Sequence, residues 1–193
     1  MIEHTAWVGA DYKLGLSGSR IAIVGFSHHL GDDGGEDSND GTIQCIRNVI
    51  SGEWKIAFFT QIRNYFGFAN HDAYWQRVIF FNYLPDSVGD GSQRYGHGTP
   101  EQRSLAQVRF VRILNERIPQ KVLIFTGRHW AFPDVACEQL SPQFPKFWHG
   151  IYSAGNHKIT AFFLRHPQGA SGDLMRRAVK DVLDRPNPIG GGC

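Results

Sequence analysis

Four short apolar runs punctuate the chain, separated by stretches whose hydrophobic residues recur every three or four positions. The runs are residues 20–25, 77–84, 121–126 and 158–165, and β-branched and aromatic side chains crowd them. Continuous apolar runs of this length predict strands covered on both faces. Residues 42–50 place Ile43, Ile46, Val49 and Ile50 on one helical face, and residues 54–66 align Ile56, Phe59, Ile62 and Phe66 before Gly67. Thr99, Pro100 and Glu101 make a helix start, with proline at the first helical position, and Pro119 closes that helix. A short helix is expected within 130–140 despite Pro133, and a closing helix over 173–183. Residues 1–19 read as an irregular lead-in and 141–157 as a loop rich in proline and aromatics. The C-terminal stretch 186–193 reads as a flexible tail.

Strands that alternate with helices predict an α/β fold with right-handed crossovers. The expected architecture is a three-layer sandwich, with helices on both faces of a central, mainly parallel four-stranded sheet. One domain would span residues 1–185, and no internal repeat or second domain is visible. In such sheets ligands bind at the carboxyl ends of the strands. Four polar clusters stand at those ends: Phe26-Ser27-His28-His29, Asn82, Gly127-Arg128-His129, and His166. Their convergence on one edge predicts the strand order 2-1-3-4. Gly25 breaks the first strand, and Gly31, Gly34 and Gly35 free the loop after it.

The totals narrow the picture. A chain of 193 residues, 41% hydrophobic, suits one compact core. No stretch reaches the roughly 18 consecutive apolar residues of a membrane span. Glu3, His4 and Asp11 interrupt the N-terminus, so it does not read as a signal peptide. Cys45, Cys137 and Cys193 are far apart with no Cys-x-x-Cys pair, so neither a disulfide framework nor a structural zinc site is expected. The expectation is a cytoplasmic monomer with no metal, no cofactor and no membrane partner. The net charge of +2 permits nucleic-acid binding through a local basic patch without indicating it. The loop over 31–41 carries Asp32, Asp33, Glu36, Asp37 and Asp40. It reads as a solvated loop, as the source of one carboxylate turned inward, or as a metal site, although its spacing is not that of a calcium loop.

Taken together, the strand-end clusters resemble the uracil-DNA glycosylase superfamily over about residues 20–183. Ile-Val-Gly-Phe-Ser-His-His is similar to that family's first motif, an apolar strand, a glycine and a loop with the water-positioning residue. The apolar strand ending in Asn82 is similar to the one that holds the flipped base. Val122 to Gly127, with His129-Trp130-Ala131 following, fits the strand that precedes a helix. His166-Pro167-Gln168-Gly169-Ala170-Ser171 matches the His-Pro loop before the last helix. The family's uracil enzymes place Asp where this chain has Ser27, Pro where it has His28, and a thymine-excluding Tyr where it has His29. Other branches put Asn or Ala at the Ser27 position. The iron–sulfur branches need four cysteines, one more than are present here.

The resemblance implies a DNA glycosylase that flips a base from single- or double-stranded DNA and hydrolyses its N-glycosidic bond. That chemistry builds positive charge on the sugar and negative charge on the base. Asn82 suits edge reading, because an amide offers a donor and an acceptor, or it is a cap at a strand end. His166 suits stabilisation of the departing base, or it is a turn histidine before Pro167. Ser27 can hold a water but is a poor base, so Asp33 or Asp37 is a candidate to supply a carboxylate, and His28 or His29 to orient the water. Gly25 and His29 would line the base pocket, and Phe26 would offer it either its backbone N–H or its ring. Arg128, His129, Gln168 and Ser171 would hold phosphates. With His in place of the excluding Tyr, the pocket is expected to accept more than uracil, a modified pyrimidine or purine lesion, unless Tyr83 or Tyr95 fills the space. The role would be in repair or in defence against phage DNA. Two alternatives stay open: a catalytically inactive DNA-binding relative, and a hydrolase with Ser27 as nucleophile and His166 as base.

Overall fold

The structure is a computed structural model, and it describes residues 2–28, 36–88, 98–126, 135–144 and 146–188. The fold is α/β. Three strands form its centre: β2 (Ile21–Gly25), β3 (Val78–Asn82) and β4 (Lys121–Ile124), and every residue in them is buried. Their continuous apolar sequence is what two covered faces require. β7 (His157–Phe163) joins them, and β3, β2, β4 and β7 stand side by side and parallel. This is the expected order of four strands.

The sheet is larger and more mixed than that four-stranded expectation. β1 (Trp7–Val8) pairs antiparallel with β3, β6 (Trp148–Ala154) with β7, and β5 (Cys137–Gln139) with β6. The full order is β1-β3-β2-β4-β7-β6-β5. The lead-in thus supplies a strand, and the aromatic loop supplies β6. Where a short helix was expected within 130–140, the described part forms β5. The reason for β6 is local. Ala154 pairs with His157, so Gly155 and Asn156 make a two-residue turn, and Gly155 takes the positive φ of 57° that its first position needs.

Alternation along the strands divides the core. Ile21, Ile23, Val78, Phe80, Leu123 and Phe162 face α1 (Gly41–Ser51), α2 (Ala57–Tyr65), α3 (His71–Trp75) and α5 (Gly172–Asp184). Ala22, Val24, Ile79, Phe81, Val122 and Ile124 face α4 (Pro100–Arg117). Helices therefore cover both faces, as expected for three layers. α4 begins on a full capping box: Thr99 accepts from the Gln102 N–H, and the Gln102 side chain accepts from the Thr99 N–H. The short α3 was not anticipated, although Asn70 caps it by accepting the Ala73 N–H.

The start of the C-terminal stretch is not free. Ser19 Oγ donates to Asn187 Oδ1 at 2.8 Å, and buried Lys121 donates Nζ to the carbonyls of Val182, Leu183 and Arg185 at 3.0, 3.0 and 2.7 Å. These carbonyls belong to the orphan set that ends a helix. The rest of the expected tail, residues 189–193, lies outside the described residues. Among the described residues no helix is long and apolar enough to cross a membrane.

Candidate functional site

Gly25 and Asn82 are register partners at the carboxyl ends of the parallel pair β2 and β3. Alternation puts both on the face shared by Ile23 and Phe80. A Cβ at Gly25 would lie 2.2 Å from Asn82 Oδ1 and 3.4 Å from Phe58 Cζ. Glycine is therefore what lets the Asn82 amide rest on the neighbouring backbone with the Phe58 ring beside it. Asn82 is only 4% exposed, yet no described residue hydrogen-bonds its amide. A buried amide without partners is costly to a fold.

Phe58 sits in the first turn of α2, and its ring centroid is 5.4 Å from that of His166, tilted by 34°. It also meets Phe59 and Phe80 edge-on. Phe58 thus bridges the Gly25–Asn82 pair and His166. Sequence reasoning missed it, because it falls outside the apolar stripe that orients α2. An aromatic beside that stripe was the available signal.

His166 follows β7 and caps the 3-10 turn Pro167–Gly169. Its Nδ1 accepts the Gln168 backbone N–H at 3.3 Å. With Nδ1 committed as acceptor, the neutral ring carries its proton on Nε2. Burial pushes the His166 pKa below its ordinary value, which favours that neutral form. The result is a half-buried imidazole with one fixed N–H donor.

The loop after β2 continues alongside the chain after β3. Tyr83 N donates to Gly25 O, Leu84 N to Phe26 O, and Val88 N to His28 O, at 3.0, 2.9 and 2.9 Å. Phe26 packs against the α4-side cluster, which favours the backbone N–H over the ring as its contribution to the pocket. Tyr83 lies in that same cluster, with its hydroxyl donating to Gln107 Oε1 at 3.4 Å, and does not fill the space beside Phe58. Ser27 is half-buried, and no hydrogen bond joins it to His166, so the nucleophile–base pair of a Ser–His hydrolase is not formed. His28 Nε2 bonds Thr42 Oγ1 at 2.9 Å.

One carboxylate of the acidic loop does turn inward, but not toward Ser27. Asp37 Oδ1 meets His4 Nε2 at 2.6 Å, and Oδ2 accepts the Ser87 N–H at 2.9 Å. Burial raises the Asp37 pKa, but the hydrogen bonds from Ser87 and His4 outweigh it and hold the carboxyl below its ordinary range. Both oxygens are engaged, so Asp37 serves the loop's anchorage. The His4 ring meets His28 edge-on at 5.0 Å. Behind Asn82, Arg109 Nη1 donates to the Asn82 carbonyl at 2.7 Å and Nη2 to the His4 carbonyl.

Gln168 and Ser171 are exposed on the His166 turn, and Ser171 is the N-cap of α5 without a side-chain cap bond. Asp33, His29, Arg128, His129 and Tyr95 lie outside the described residues. Among the described residues no group of three or more His, Cys, Asp or Glu side chains is placed to hold a metal. Compared with known families and curated proteins, the sequence matches no family model and no curated protein.

Proposed function

We propose that the protein is a monofunctional DNA glycosylase that flips a modified base and hydrolyses its N-glycosidic bond to leave an abasic site. One observation carries this reading: the buried Asn82 amide on the Gly25 floor, without a partner among the described residues, with Phe58 between it and the fixed N–H of His166. A planar heterocycle with donors and acceptors on one edge satisfies such a site. Its face stacks on Phe58, its edge pairs with the Asn82 amide, and an oxygen on its ring accepts from His166 Nε2.

The C1′–N bond breaks with its electron pair moving onto the base. The His166 N–H strengthens its hydrogen bond as that charge grows, an effect typically worth about 2.7–4 kcal/mol for one preorganised donor. A water adds to C1′, loses its proton to solvent or to a carboxylate, and the base is protonated on release. Ser27, two residues after Gly25, holds that water, and Asp33 is the remaining acidic-loop candidate now that Asp37 is engaged. Arg128, His129, Gln168 and Ser171 hold phosphates around the flipped nucleotide.

Histidine at position 29 and the placement of Tyr83 on the other face favour a pocket wider than uracil requires. The substrate class is therefore a modified pyrimidine or a purine lesion in DNA, met in repair or on phage DNA. In this reading the protein acts as a cytoplasmic monomer without a cofactor.

The test is incubation with oligonucleotides bearing uracil, thymine, hypoxanthine or 5-substituted cytosines, followed by alkali. Strand breaks at one of these bases support the proposal, and their absence at every base with DNA still bound would instead support the inactive DNA-binding relative. That second reading draws on the engagement of both Asp37 oxygens.

A further inference from the structure

Arg109 projects from α4 to the end of β3 and is 3% exposed. A guanidinium is expensive to desolvate, and an apolar side chain of similar volume often serves stability better at such a position. The compensation here is partial. Glu3 Oε1 is 3.6 Å from Nε on the more exposed side, and Nε has no hydrogen-bond partner. The guanidinium carbon lies 5.6 Å from the centroid of the Phe81 ring. Burial pulls the Arg109 pKa down to about 10, so the group stays charged near neutrality.

What the buried charge does hold is specific. On the outer edge of β3, β1 pairs with Ile79 and Phe80 and reaches no further. The Asn82 carbonyl therefore has no strand partner on that side, and Arg109 Nη1 supplies its donor at 2.7 Å. Through Nη2 the same guanidinium holds the His4 carbonyl. The segment around His4 is in turn fixed by His4 N to Pro85 O at 2.7 Å and Thr5 N to Asn39 O at 2.6 Å.

We propose that Arg109 is a positioning residue for Asn82, holding its peptide from behind so that the unpartnered amide is presented at a set angle beside Phe58 and His166. The consequence for rate rests on the glycosylase reading; the consequence for Asn82 itself does not.

The test uses the whole chain with Arg109→Met, Arg109→Lys and Arg109→Gln. In uniformly ¹⁵N-labelled protein, the Asn82 side-chain amide is assigned by its loss in Asn82→Asp. We expect this signal to shift or broaden in Arg109→Met and to return toward the native position in Arg109→Lys, which keeps a charge and a donor. Single-turnover cleavage should fall about 10–10²-fold in Arg109→Met, with DNA affinity within a factor of about three, because small displacements of a positioning group act on rate. Lysine should recover part of the loss. An Asn82 amide signal and a cleavage rate both unchanged in folded Arg109→Met overturn the proposal. If Arg109→Met fails to fold, Arg109→Gln decides, because its shorter amide cannot hold both carbonyls: a displaced Asn82 signal with a reduced rate supports the proposal, and native values for both overturn it. A wild-type protein that releases no base defeats the glycosylase reading, while the amide signal still reports whether Arg109 holds Asn82.

Discussion

The two sides of Asn82 are built on opposite rules. Behind it, most polar groups are paired, the carbonyl with Arg109, Asp37 with His4 and Ser87, His28 with Thr42, although Arg109 Nε and His4 Nδ1 are not. In front, the Asn82 amide has no described partner, and His166 has one ring nitrogen fixed so that the other can donate. A fold gains by pairing buried polar groups. Leaving a buried amide open on a glycine floor gives up stability that pairing would supply, and a ligand can recover it. Substitutions in the paired network around Asp37 should therefore register mainly as stability and those in front mainly as rate, while Arg109, which touches Asn82 from behind, links the two.

The largest expected effect is in front. Under the proposed glycosylase activity, His166→Ala should lower single-turnover base release about 10²–10³-fold, the range for one lost transition-state donor. Its melting temperature should stay near that of the wild type, because the ring is half-buried on a turn. Normal cleavage by the folded variant would remove His166 from the mechanism. The pH profile sharpens the point. Burial lowers the His166 pKa, so the neutral donor persists below pH 6.5 and activity should fall only at more acidic pH. His166→Gln, which donates without titrating, should lose that acidic limb. The linked stability runs the same way: the unfolded chain takes up the His166 proton near its ordinary pKa and the folded chain later, so folding weakens as pH drops below about 6.5.

Next in size is Gly25→Ala. The added methyl would meet Asn82 Oδ1 at 2.2 Å, so the amide must swing away from the floor. We expect a loss of about 10²-fold in rate for a displacement on the scale of one ångström. Cleavage at the wild-type rate would show that the amide's resting place is irrelevant to the chemistry.

These positions also show what the sequence made legible. The apolar runs of β2, β3, β4 and β7 carried enough contrast to place the strands, and the need for Gly25, Asn82 and His166 to meet set their order. β1 spans two residues, too few for any periodic signal. β6 alternates, but Gly150 and the surrounding proline and aromatics disguise it. A Cβ at Gly150 would lie 2.5 Å from Val135 Cγ1, so the glycine reflects a tertiary approach that no local pattern announces. The Gly155–Asn156 pair was a readable hairpin signal. Phe58 is harder, since it belongs to the site only because α2 packs beside the His166 turn. Arg109 was invisible for the same reason: nothing in α4's sequence says that one arginine points inward.

Asp37→Ala tests the paired side. It leaves the Ser87 N–H and the His4 ring without their acceptor, and should cost about 1–3 kcal/mol of stability. Base release per folded molecule should change less than in Gly25→Ala. A large loss of rate without loss of stability would move Asp37 to the catalytic side and break the division drawn here.

The smallest expected effect falls on Ser171, whose position leaves its allegiance open. As the N-cap of α5 it has the residue type that usually accepts a first-turn N–H, and replacing such a cap with alanine typically costs about 1 kcal/mol. Here the serine makes no side-chain cap bond, and it is exposed. Its hydroxyl is therefore not spent on the helix, and Ser171→Ala should change stability by only a few tenths of a kcal/mol, about the size of an ordinary surface substitution. If the hydroxyl instead donates to a phosphate, the same change should weaken DNA binding about 3–10-fold, the equivalent of one ordinary hydrogen bond. Gln168 offers the control, because its backbone N–H already serves His166 while its side chain is exposed. A melting temperature reduced by the full value of a cap, with DNA affinity untouched, would assign Ser171 to the fold and shrink the open side of the molecule to the pocket itself.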